Sequence, residues 1–227
     1  MLTMAHLAIG NAKTELLHAA RLLHASGLLF KGQHANLSAR IDDDRVVITK
    51  GGSIATLDED SFAAVTLQGE AEGDIDSVTA EIVQMHTAVY RARATVGSIM
   101  HVHAPHATAF AVANQAIPIA YEPLVRFGFT EAIPVVPWAP RGSEASVGGI
   151  VRIVEEHPGL SAVLLANHGV LAFTSSPVQT ARLLATLDEA AELVLHARLL
   201  GGEKALPEQA FEQVKHHMEQ FGSKVMA

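Results

Sequence analysis

Three histidines fall within six positions of the stretch SIMHVHAPHATAF, residues 98–110, directly after an apolar run that heads into a core. In a strand, side chains two apart share a face, so His101 and His103 project side by side while Met100 and Val102 turn the other way into the packing. Pro105 lacks the donor that a ladder needs and stops the strand just beyond the pair. A third ligand must come from elsewhere, and LLANHGVLAF offers it. His168 also follows a buried apolar run, and Gly169 permits the tight backbone that exposes its ring. Three imidazoles on one divalent ion leave coordination positions open to substrate, as a catalytic site requires and a closed structural site does not.

Each signal alone has a plainer explanation. A single histidine in an apolar setting is usually a satisfied core residue. His106 falls on the first turn of the following helix, where packing or backbone contacts explain it, and it is left out of the ligand set. Glu81, placed in the first turn of an earlier helix, is favoured there by the helix dipole without any chemistry. His24, His86, His196, His216 and His217 fit solvated helix faces.

The elements that must position these residues alternate in period. Helical spacing runs from about Ala5 to Leu23 and ends at Ser26 and Gly27. NLSARI and RVVITK are predicted strands joined across Asp42, Asp43 and Asp44, with SFAAVTLQG a third. Ile82, Met85, Val89 and Tyr90 mark a helix over 77–93, capped by Ser77 or Thr79. There follow a buried strand (VGSIMHVH), a short helix (PHATAFAVAN), a strand (IPVVPW), a helix over 145–156, a strand pair broken at Asn167, His168 and Gly169, a long helix over 177–200 and a charged one over 207–221. No repeat, low-complexity tract or linker interrupts the 227 residues, which predicts one domain over 1–227.

Composition narrows the chemistry further. With 49% hydrophobic residues the chain can bury a sizeable core, and no apolar stretch reaches the roughly 20 residues that span a bilayer. The first residues mix charges into their apolar pattern, unlike a signal peptide, so a cytoplasmic protein without a membrane partner is expected. Zero cysteines exclude thiolate ligands, disulfides and a cysteine nucleophile, leaving imidazole and oxygen to hold any metal. A net charge of −8 with scattered lysines and arginines provides no basic footprint, and nucleic acid is not an expected partner.

TAEIVQMHTAVYRARATVGSIMHVHAPHATAFA, followed about sixty residues later by ANHGVLAF, resembles the class II aldolase/adducin family, over most of the chain from ANLSAR to the helix near Leu200. The family includes fuculose-phosphate and rhamnulose-phosphate aldolases and ribulose-phosphate 4-epimerase. The resemblance implies that His101, His103 and His168 bind a divalent metal, zinc or manganese, and that Glu81 is the acid/base. It also implies an α/β/α fold around a mostly antiparallel sheet, and a homotetramer with active sites at subunit interfaces. Tyr121 lies where some family aldolases place a tyrosine donor for the leaving group, although a packed aromatic explains it equally well.

The departures bear on substrate. Phosphate-cleaving members hold the phosphate with a Gly-Asn pair, a Thr-Pro-Ser/Thr-Gly turn and a Ser-Ser pair ahead of the glutamate. Here these read Ala35 and Asn36, then TKGGS, then Thr79 and Ala80, so two hydroxyl donors are missing. Asn36 and Thr79 keep polar tips, the amides of Gly51 and Gly52 can form an anion nest, and Lys50 adds a charge suited to a carboxylate, although a plain turn beside a solvated lysine fits as well. Family chemistry runs through a metal-stabilised enolate. The expected activity is thus a metal-dependent lyase, with decarboxylation of a non-phosphorylated hydroxy-aromatic or hydroxy-keto acid ahead of aldol cleavage. The alternatives are a sugar-phosphate aldolase or 4-epimerase, and a non-catalytic adducin-like interaction module.

Overall fold

The computed structural model describes residues 4–29, 34–51, 53–73, 75 and 77–225. At its centre lies β4 (Ser98–Val102), buried along its whole length. One side of β4 pairs antiparallel with β1 (Ala35–Arg40), which leads on to β2 (Arg45–Thr49) and β3 (Phe62–Thr66). The other side pairs antiparallel with β7 (Gly169–Thr174), followed by β6 (Ala162–Leu165) and β5 (Val135–Val136). Only β5 and β6 run parallel, so the sheet, ordered β3-β2-β1-β4-β7-β6-β5, is mixed but mostly antiparallel, as expected. The expected strand over IPVVPW shrinks to two residues because Pro134 and Pro137 bracket it and neither can donate to a ladder.

Helices cover both faces. On one face α1 (Met4–Ala25), α3 (Pro105–Val112) and α6 (Pro177–Leu199) pack together and onto β1, β4 and β7. On the other, α2 (Ser77–Ala92) packs on α5 (Glu144–Glu156) and meets Ser38 of β1 through His86 and Tyr90. A short α4 (Glu122–Val125) and a terminal α7 (Glu208–Val225) complete the layers. A central strand covered on both faces must be apolar on both, and Ile99, Met100 and Val102 are fully buried. Among the described residues no helix is long and apolar enough to cross a membrane.

One helix boundary corrects a sequence expectation. Because α2 begins at Ser77, Glu81 is its fifth residue and opens the second turn, and no acidic residue occupies the first. Thr79 therefore lies inside the helix rather than capping it. The helix dipole loses its hold beyond the first turn and does not account for Glu81.

Candidate active site

The sheet register decides what faces what. Asn36 lies opposite His101, and His101 opposite Leu171, so these residues and those two positions along share the α2-side face. His103 follows the last residue of β4 and projects beside His101, with the two Nε2 atoms 3.2 Å apart. His168 enters from the turn between β6 and β7, its ring centre 4.6 Å from that of His101 and 5.0 Å from that of His103.

That turn is anchored from several directions. Asn167 adopts φ 57°, a left-handed conformation that asparagine tolerates better than most residues. Its amide N–H donates to the Ala111 carbonyl at 2.9 Å and its Nδ2 to the Val112 carbonyl at 3.3 Å, tying the turn to the end of α3. Gly169 is required by close approach. A Cβ there would lie 2.7 Å from the Val102 carbonyl oxygen, 2.8 Å from Cδ2 of His103 and 3.1 Å from Cε1 of His101. The start of α3 is held by the buried carboxylate of Asp188 on α6, which accepts from the amides of His106 and Ala107, each at 2.8 Å, and lies 2.9 Å from Nδ1 of His106. His106 thus has the contacts expected of it and stands apart from the triad.

The donor set suits a divalent ion. Nδ1 of His101 faces the Val170 carbonyl at 3.0 Å and must donate to it, which leaves Nε2 with its lone pair free. Burial, with His168 and His103 nearby, holds His101 well below the usual histidine range. Burial also lowers His103, with His34 and Arg141 contributing, and takes His168 to about 4, with His103 and Arg141 contributing. Neutral rings are what a metal needs. Zinc–nitrogen bonds of 2.0–2.1 Å in a tetrahedral set place ligand nitrogens about 3.3–3.4 Å apart. The His101–His103 separation matches this, and the three ligand atoms lie within 4.8 Å of one another.

Beside the triad opens a cavity of about 360 Å³, with Asn36, Glu81, His101, Trp138, Arg141 and His168 on its wall. Glu81 reaches it with Ile82 and Met85, the neighbouring positions of the same helical face. Nε of Arg141 donates to Oε2 of Glu81 at 2.9 Å. The loop carrying Arg141 comes this close because Gly142, at φ 75°, has no side chain. A Cβ there would lie 2.9 Å from Cγ of Glu81.

Behind Asn36 runs a buried chain that revises the sequence reading of His86. Expected on a solvated face, His86 is fully buried, because the polar face of α2 lies against Asn36 and Ser38 of β1. Burial takes its ring to about 3, so it is neutral and carries one N–H. Nε2 donates to Oδ1 of Asn36 at 2.6 Å, so Nδ1 accepts from the Ser38 hydroxyl at 2.7 Å, and that hydroxyl in turn accepts from Tyr90 at 2.9 Å. With its oxygen so engaged, Asn36 presents its amide nitrogen to the cavity.

The other expected residues are dispersed. The Thr79 hydroxyl donates to the Lys50 carbonyl at 2.6 Å, fastening the Lys50–Gly51 turn to α2. Neither Lys50 nor Gly51 lines the cavity, and Gly52 lies outside the described residues. Tyr121 stands at the start of α4, away from the cavity of its own chain, with its phenol raised by desolvation and by Glu189. Sequence reasoning missed Trp138 and Arg141. Their signal was a tryptophan and a cation in a proline-bounded loop, VPWAPRGSE, between a strand end and a helix start.

An α/β/α chain with three converging imidazoles beside an open cavity that carries a carboxylate has a framework able to hold a divalent metal. Residues 14–195 match the model of the class II aldolase and adducin N-terminal domain, and the chain belongs to this family. It is 27% identical over 181 residues to a 5-methylthioribulose-1-phosphate/5-deoxyribulose-1-phosphate aldolase of Escherichia coli O45:K1, covering 80% of this chain and 82% of that protein. It is 30% identical over 170 residues to a 3-oxo-tetronate 4-phosphate decarboxylase of Haemophilus influenzae, covering 71% of this chain and 77% of the relative. In three dimensions it is similar to an L-fuculose 1-phosphate aldolase with a TM-score of 0.80 at 23% identity, over 92% of this chain and 96% of the other.

Proposed function

We propose that the protein is a divalent-metal-dependent lyase that breaks a carbon–carbon bond next to a carbonyl, and that its preferred substrate is a non-phosphorylated hydroxy acid. The observation that carries this reading is the cluster of His101, His103 and His168 beside a cavity whose wall includes His101, His168 and Glu81. Relatives that are aldolases and a decarboxylase support the reaction class. Zinc or manganese held by the three histidines would supply a Lewis acid that draws electrons from the scissile bond.

The chain's own residues supply the rest. In decarboxylation the bond to the carboxyl carbon breaks, CO₂ leaves without the electron pair, and the carbon that keeps the pair takes a proton. In this reading Glu81 delivers it, having taken it from water, which is supported by its position on the cavity wall and by the Arg141 bond to Oε2. Asn36, steadied by His86, donates from its amide to a substrate oxygen. Within a homotetramer with sites between subunits, Tyr121 would serve a neighbouring chain.

The substrate preference rests on what would otherwise hold a phosphate. Gly51 and Ala80 bring no hydroxyl, and the Thr79 hydroxyl is engaged with the Lys50 carbonyl. A second reading, cleavage or epimerisation of a sugar phosphate, is favoured by the phosphorylated substrates in the names of both curated relatives. The two separate in a panel assay with zinc- and manganese-loaded protein, following CO₂ and aldehyde release from ketose phosphates, free ketoses, hydroxy-keto acids and hydroxy-aromatic acids. CO₂ release from an unphosphorylated acid is the expected result. A clear preference for a ketose phosphate would overturn the substrate assignment.

A further inference from the structure

Building on the lyase reading, we infer that Arg141 is the specificity residue of the cavity, and that it selects substrates bearing a carboxylate remote from the metal-chelating oxygens. Apart from the proposed metal ligands, Glu81 and Arg141 are the charged side chains on the cavity wall among the described residues. Arg141 meets Glu81 through Nε, and its two terminal nitrogens have no protein acceptor among those residues. The guanidinium therefore keeps the edge that grips a carboxylate with two parallel hydrogen bonds, while its other edge holds the acid/base.

The pair has little value as a structural element. Arg141 is 58% exposed and Glu81 41%, and ion pairs so exposed contribute little to stability. The loop is nevertheless built to deliver the guanidinium there. Pro140 precedes it and Gly142 follows at φ 75°, removing the side chain that would strike Glu81. Ser143 then caps α5 by accepting from the Ser146 amide, which fixes the loop at its far end. Three residues before Arg141, Trp138 lines the same cavity while 67% exposed, an apolar wall beside the cation. A substrate with one anion near the metal ligands and a second at Arg141 fills both ends of this space. Lys50, the cation that the sequence singled out, stands off the wall.

The test is calorimetric binding of two hydroxamates to the zinc-loaded full chain, acetohydroxamate and succinic monohydroxamate. They share one chelating group and differ in a distal carboxylate. Native protein should bind the carboxylated probe at least about tenfold more tightly, the scale of one charge-assisted bidentate contact. Arg141→Gln should reduce that preference to near unity and leave acetohydroxamate affinity unchanged, with Arg141→Lys in between. A preference that survives in Arg141→Gln, or an equal loss for both probes, would overturn the assignment. Failure of acetohydroxamate to bind the zinc-loaded protein would overturn the reading of the histidine site itself, and the inference with it.

Discussion

Changing Glu81 to glutamine is expected to leave the bound metal in place and to lower turnover at least about a hundredfold, the usual scale for a positioned acid/base. Glutamine has the same shape and its amide oxygen can still accept from Nε of Arg141, so the loop at Gly142 keeps its place. What it cannot do is carry a proton. The variant therefore separates the contact with Arg141 from the proposed transfer of the proton. The measurement is steady-state turnover on the preferred acid, alongside zinc content and melting temperature. Near-normal turnover would reduce Glu81 to an anchor for Arg141.

Replacing His101, His103 or His168 by alanine should have a larger effect, because each removes a proposed ligand rather than a proton carrier. Changes behind the ligands in metal sites already cost 10–100-fold in affinity. Loss of a ligand from a set of three should exceed that, and activity should fall with it. The fold should persist, since the rings cluster beside an open cavity on a sheet whose core is independently large. Competition against a chelating dye reads the affinity and circular dichroism the fold. His101→Ala is the harshest of the three. Its ring is buried and its Nδ1 bonds the Val170 carbonyl, so the change also leaves a void on that face of the sheet and removes this bond. His103→Ala and His168→Ala, at the strand end and in the turn, are the cleaner tests. Unaltered affinity in any variant would remove that residue from the site.

Much of this geometry was legible in the residues because it follows from strand alternation. The i, i+2 placement of His101 and His103, the break at Pro105 and the tight turn before Gly169 are local, and the structure brings the three rings together accordingly. Contacts between elements distant in sequence were not legible. His86 and Tyr90 read as one polar and one apolar position on a helix, and only the register of β1 against α2 makes them a buried hydrogen-bonded chain behind Asn36. Arg141 is 60 residues from Glu81 and gave no periodic signal, because loops have none. Lys50 was chosen for its charge, and charge alone does not say which way a turn faces.

The central claim is that His101, His103 and His168 together hold the ion on which cleavage depends. X-ray absorption at the zinc edge of the zinc-loaded protein tests it most directly, since zinc–imidazole scattering has its own signature. The account predicts one zinc per chain with three imidazole nitrogens at about 2.0–2.1 Å and oxygen completing the shell. The His168→Ala protein, loaded at high zinc, should show two imidazoles. A shell with one imidazole or none in the native protein, or an unchanged spectrum in His168→Ala, would contradict the claim.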